Sequence, residues 1–246
     1  MTSLHSTLFP KFLCACTYIL LCITTYAQAY YVQYEHKFIY DTDNIIGVES
    51  ASQITMVKEQ LAKIYDFHYL YFDGRTFAFS QTTPLNKEQT FTAQSNGDQV
   101  YKFGDSVART YNLLYGKPYT VEDSVVLDSW HIYQTDARMV LGFRCTKAEK
   151  TIDGLVTRAW FTDQLPLPVG PSNTFGLPGL PLRVETDFQN WEAKQIEVGD
   201  ALTNIEMLEG EKIGGAAYLQ LFHKEATAHG DDPEEDGRHK IGVVLN

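Results

Sequence analysis

Few residues in this chain are of a type, and in a setting, to do chemistry. Cys145 is the one thiol beyond the first 29 residues, and no histidine neighbours it. Its alternating apolar surroundings make it a small buried hydrophobe rather than an activated nucleophile. Lys147 and Arg158 sit on two runs, 140–148 and 155–162, that flank a polar turn at 150–154. Across such a hairpin they face each other, and there they either pair with acidic neighbours or reach an anionic ligand at the open face. Trp160 and Phe175 are apolar wedges for the glycine- and proline-rich segment 170–182. His36 falls on the mainly apolar face of a strand, the setting of a core or cross-strand histidine. His223, His229, Asp231, Asp232, Glu234, Glu235, Asp236 and His239 are metal-ligating types. They lie on a charged run without fixed geometry, and it reads as a solvated tail. The sequence contains no Gly-x-Ser-x-Gly, phosphate-cradling glycine loop, His-Glu-x-x-His or paired-cysteine spacing. No catalytic residue, cofactor or metal is therefore expected.

The elements that must position these residues read as strands. Residues 30–40 place Val32, Tyr34, His36, Phe38 and Tyr40 on one face and Gln33, Glu35 and Lys37 on the other. Asp73-Gly74 between two aromatic runs predicts a hairpin. The runs 140–148 and 155–162 predict a second. Residues 99–103, 108–115, 119–127, 130–134, 182–184, 191–198 and 202–207 continue the pattern, with a turn at 116–118 and a long polar loop at 81–98. Residues 56–65 have weakly helical spacing, but a strand over about 63–72 suits a meandering β-protein better. The sum is a mainly β chain of about nine to eleven strands. Its expected form is a curved antiparallel sheet, an open or half barrel, or a sandwich, with little helix.

Residues 170–182 read GPSNTFGLPGLPL. Such a segment cannot be a helix or a regular central strand. It is a shaped apolar turn, hence a fold-defining corner or the lip of a binding site. It carries no titratable group, which favours a corner that tucks leucines under the sheet and can border a ligand mouth. Pro181 has no backbone N–H, so the following strand is expected to pair one residue later.

Residues 1–29 read as a secretory signal. Lys11 precedes an uncharged apolar run at 12–25, and Ala27-Gln28-Ala29 offers cleavage after Ala27 or Ala29. The run is short of the roughly 20 residues a transmembrane helix needs, so no span is expected after cleavage. Cys14, Cys16 and Cys22 lie in this leader, which leaves no internal disulfide. Residues 30–222 then form one β-rich domain, and 223–246 a flexible acidic tail. The formal charge of −11 argues against a nucleic-acid partner.

One block has a recognisable order. Trp130 is followed by Gly142, Phe143, Cys145, Lys147 and Ala148, then by Ala159, Trp160, Phe161 and Thr162. Leu165-Pro166, Gly170-Pro171 and the signature Gly176, Leu177, Pro178, Gly179, Leu180 complete it. Residues 130–182 in this way resemble the GLPGLI family, secreted proteins typical of Bacteroidota. Pro181 departs from the aliphatic residue usual there. The resemblance implies an exported protein, periplasmic or associated with the outer membrane, of uncharacterised function. It implies no activity, cofactor or site residue.

Three functions fit these readings. The first is a non-enzymatic envelope protein that binds a partner through its sheet or lip. The second is a carrier holding a lipid or other hydrophobic ligand in a half barrel, and the third is an enzyme of unrecognised type. The shape of the sheet, filled or open on its concave side, separates the second from the first.

Overall fold

A computed structural model describes residues 29–39, 50–81, 91–125, 130–152, 155–171, 174–199 and 205–229. The chain runs β1 (Ala29–Phe38), α1 (Ala51–Leu61), β2 (Asp66–Phe72), β3 (Thr76–Ser80), β4 (Phe91–Ala93), β5 (Asp98–Lys102), β6 (Val107–Leu114) and β7 (Lys117–Ser124). It continues with β8 (His131–Val140), β9 (Phe143–Ile152), β10 (Leu155–Thr162), β11 (Leu180–Glu185), β12 (Gln189–Gly199), β13 (Ile205–Met207), β14 (Glu211–Gly214) and α2 (Gly215–His229). A 12-stranded sheet has the order β14-β7-β6-β5-β3-β2-β1-β12-β11-β10-β9-β8, and β4 pairs with β13 beside it. The central strand β1 is clasped between β2 and β12. From β2 the chain meanders outward to β7, then starts again at the opposite edge with β8 and meanders back to β12. The sheet is open, with β14 and β8 at its edges, as a curved, mainly antiparallel sheet was expected to be. Strands outnumber the nine to eleven expected from regular spacing because β4, β13 and β14 have only 3, 3 and 4 residues, too few to display alternation.

Both hairpins form. At Asp73-Gly74, Gly74 has φ 95°, and the Asp73 carboxylate accepts the N–H groups of Arg75 and Thr76 at 2.8 and 2.6 Å. In the second, β9 and β10 pair from Ile152↔Leu155 to Thr146↔Phe161. The run 140–148 is not one strand, however. Leu141-Gly142 is a two-residue turn between β8 and β9, with φ of 49° and 82°. Tyr115-Gly116 does the same between β6 and β7, so Lys117 and Pro118 already belong to β7. Both residues of such a turn need positive φ, and Asn or Asp before glycine is the usual signal. Leucine and tyrosine hide it.

Two helices form outside the expected strands. Residues 51–61 are helical, overlapping the weakly helical run at 56–65, and the strand expected over about 63–72 starts only at Asp66. The signal is the capping box at Ser50 and Gln53, whose backbone and side chains bond reciprocally. Only Val57 of this helix is buried, which leaves its periodicity weak. Residues 223–229 belong to α2 rather than to a mobile tail, and 230–246 lie outside the described residues. Tyr218 packs edge-on against Tyr119, and the His229 ring stacks on Tyr115 at 3.8 Å. Tyr40, Asp153 and Gly154 also lie outside the described residues.

Each sheet face has its own cover. On one face Tyr31, Tyr69 and Tyr71 pack with Ala78, Phe91 and Ile205, beneath the β4–β13 ribbon. On the other, Val32, Tyr34 and Leu70 join Ala148, Ala159, Val184 and Trp191 in the main core. The connection from β10 to β11 fills this second face. Leu165, Leu167, Val169, Phe175, Leu177 and Leu180 are all buried there. Its Phe175 packs 5.0 Å from Tyr101 of β5, its Phe175 carbonyl accepts Trp130 Nε1 at 2.7 Å, and the Pro181 carbonyl at its end accepts the Tyr34 hydroxyl at 2.8 Å. One segment touches β5, β1 and the start of β8, so the sheet curls around it. Pairing of β11 begins at Leu180, before Pro181 rather than after it. The missing N–H is absorbed by a register break between Trp160 and Phe161 that leaves Leu182 without an opposite residue.

Candidate functional site

Alternation along β9, β10, β11 and β12 puts Lys147, Glu149, Arg158, Trp160, Arg183 and Glu192 on the sheet face opposite Ala148, Ala159, Val184 and Trp191, although Trp160 still packs into the main cluster. Trp160 lies directly across from Lys147, and Arg158 from Glu149, so the two cations are diagonal rather than facing. Lys147 Nζ lies 3.0 Å from Glu149 and 3.6 Å from Asp136. Arg158 lies 3.4 Å from Glu149 and 3.8 Å from Asp187. Glu149 also accepts the Tyr133 hydroxyl at 2.7 Å, and that bond, with Lys147, holds its carboxyl below the usual range. Both candidate cations are thus matched by carboxylates across the strands.

Trp160 is buried, and the Arg138 guanidinium carbon lies over its ring, 3.7 Å from the ring centre, with that of Arg183 at 5.8 Å. Arg183 is neutralised by Glu185 and by Glu192, the latter at 2.5 Å, and Lys194 by Glu192 at 2.6 Å. Arg138 is exposed and forms no ion pair among the described residues. These cations and the exposed Met139 and Leu141 line one open cleft between the β8–β9 turn and β11–β12. Arg138 reaches Trp160 although β9 lies between their strands, because β8 skips Gln134, Thr135 and Asp136 in its pairing and curls over the face. No spacing in the sequence signals this residue.

Phe175 sits in the interior and lines a cleft with Leu70, Phe77 and Tyr101 of about 20 Å³, room for about one water and not for an acyl chain. The signature Gly176, Leu177, Pro178, Gly179 and Leu180 buries Leu177, Gly179 and Leu180 and exposes Pro178. Cys145 is fully buried, and burial pushes its thiol up to about 11. The native protein is therefore expected to resist a thiol reagent at pH 8 and to react at Cys145 only in denaturant. Rapid labelling of the folded chain contradicts this.

A second cluster was not legible in the sequence. In the β1–β2 ladder His36 pairs with Asp66 and Tyr34 with His68, so His36, Asp66 and His68 share the main-core face at the sheet's rim. His36 Nδ1 lies 2.6 Å from Asp66 Oδ1, and His68 Nε2 lies 3.6 Å from the same oxygen. Gln81 Nε2 reaches Asp66 Oδ2 at 3.0 Å and His68 Nε2 at 3.3 Å. Trp191 stacks on His36 at 4.8 Å and Phe79 on His68 at 5.2 Å. Burial first, then His36, lowers the His68 imidazole to about 4 against the pull of Asp66. His36 is not the lone core histidine its strand suggests. Its partners arrive from β2 after α1, and the register that joins them has no local signature.

Among the described residues no helix is long and apolar enough to cross a membrane. Residues 85–183 match a family model described as "Protein of unknown function (Porph_ging)", which spans the Trp130–Leu182 block. No curated protein matches the chain. Its fold is similar to that of PNGF-II, seen in two space groups at TM-scores of 0.51 and 0.50 and 13% identity. The match covers 80% of this chain and about a third of PNGF-II, 34% and 33% in the two structures.

Proposed function

We propose that this chain is an exported, envelope-associated protein of the GLPGLI type, periplasmic or at the outer membrane, that binds a partner protein rather than turning over a substrate. Export rests on the leader-like residues 1–29. Ala29 is already buried and paired with Gly199 as the first residue of β1, which favours cleavage after Ala27 over cleavage after Ala29. The observation that carries the binding reading is Arg138. Its guanidinium is pre-ordered on Trp160, has no carboxylate of its own among the described residues, and stands beside exposed apolar side chains. Stacked arginines of this kind are typical anchors of protein interfaces. The complement is an acidic, partly apolar segment.

The test is cross-linked co-purification from the envelope with wild type and Arg138→Glu. Reversing a central arginine is expected to cut the recovered partner about tenfold or more, with the melting temperature unchanged. Equal recovery with both proteins defeats the reading.

A further inference from the structure

We propose that His36, Asp66 and His68 form a binding site for a divalent first-row transition ion, zinc in the first instance. The site stands on the opposite sheet face from Arg138 and does not depend on the partner reading. Its three donors converge by register alone: Asp66 and His68 are two apart on β2, and His36 is directly across from Asp66. One donor atom from each lies within 4.8 Å of the other two. Tetrahedral zinc, with bonds of about 2.0–2.1 Å, sets its donors about 3.3 Å apart. The two imidazole–carboxylate separations, 2.6 and 3.6 Å, bracket that value, and the two imidazole nitrogens, within 4.8 Å of each other, draw together when both bind. The Asp66 side chain is 44% exposed and has room to turn by the small angle required.

The donor set selects the ion. Two imidazoles with one carboxylate suit zinc, iron(II) or a neighbouring metal and disfavour calcium and magnesium, which take oxygen ligands. The surroundings fit as well. Trp191 and Phe79 hold the two rings flat on the interior side, while Asp66 and Gln81 open the site to solvent. A water fills the fourth position, or the Gln81 amide, whose Nε2 now contacts Asp66 and His68, turns to present its oxygen. Three protein donors and one open position describe a site that exchanges ligands rather than a closed structural one.

The experiment is a zinc chloride titration of the purified exported protein, stripped of metal, against a chromophoric chelator. One equivalent is expected to bind with a Kd of about 1 µM or tighter. Asp66→Asn and His68→Gln are each expected to weaken binding by about tenfold or more. The double variant His223→Gln, His229→Gln in α2 should leave it unchanged. Ring-nitrogen NMR of the unsubstituted protein needs no variant to fold: zinc should shift His36 and His68 and leave His131, His223 and His229 in place. The proposal is overturned by a wild-type Kd weaker than about 1 mM. It is equally overturned by undiminished binding in both site variants, or by ring shifts confined to the histidines of α2 and beyond.

Discussion

Gly179→Val is expected to leave little or no folded protein. A Cβ on Gly179 would stand 2.0 Å from the Thr162 carbonyl oxygen, 2.7 Å from its carbon and 2.9 Å from Asp163 Cα. All three are backbone atoms, so no side chain can swing aside. Thr162 is fully buried and pairs with Leu180, so relief requires moving the end of β10 away from the start of β11. Leu177 and Leu180, both fully buried, would leave the core with it. Overpacking against movable side chains costs about 1–3 kcal/mol, and a backbone obstruction should exceed that. The total margin of a domain is only about 5–15 kcal/mol. Even Gly179→Ala should be severe. The contrast is Gly142, whose φ is 82° but whose added Cβ would meet nothing within 4 Å. Gly142→Ala should cost only the left-handed penalty of about 1–2 kcal/mol. Soluble yield and thermal melting by circular dichroism separate the two. A Gly179→Val protein that melts like wild type would show that this corner gives way.

That result would locate the meaning of the Gly-Leu-Pro-Gly-Leu signature in sterics. The segment is a plug: it carries apolar side chains into the hollow of a curled sheet, and its glycine is the point where two backbones nearly touch. This much was legible, because leucines between glycines and prolines with no titratable group leave only a packing role. So were β1, β2, β3, β9 and β10, whose period-2 aromatic and β-branched residues follow the pleat. Most of what could not be read shares one cause. Register and curl are set by pairing partners distant in sequence. Arg138 reaches Trp160 only because β8 bulges and folds over β9. His36 meets Asp66 and His68 only because β2 returns beside β1 after a helix. The two helices were lost for a different reason: each buries a single residue, Val57 or Ala226, so neither shows an apolar stripe. In α1 the capping box was the signal that remained.

The second large effect runs in the stabilising direction. Lys150→Met is expected to raise stability by about 2 kcal/mol at pH 7. Lys150 stands on the core-facing side of β9, 5% exposed, with its ammonium 4.7 Å from the centre of the Trp130 ring. Burial lowers its pKa from 10.5 to about 8. A depression of that size corresponds to about 3 kcal/mol of penalty on the charged form. The electron-rich face of Trp130 is one of the partners of the ammonium and returns about 1 kcal/mol of that penalty. Methionine keeps the stem, fills nearly the same volume and brings no charge.

The pH dependence identifies the cause. Below about pH 8 the lysine is charged in both states, and the native chain bears the whole penalty. Between about 8 and 10.5 the unfolded chain binds the extra proton, so wild-type stability contributed by this group rises with pH. The advantage of Lys150→Met should therefore be constant from pH 6 to 8 and shrink above that range, nearly vanishing past 10.5. Denaturant unfolding of both proteins at pH 7, 9 and 10.5 measures the difference. A variant less stable than wild type at pH 7 would mean that the contacts of the ammonium, Trp130 among them, outweigh desolvation, and that the charged lysine is an asset to the core rather than a cost.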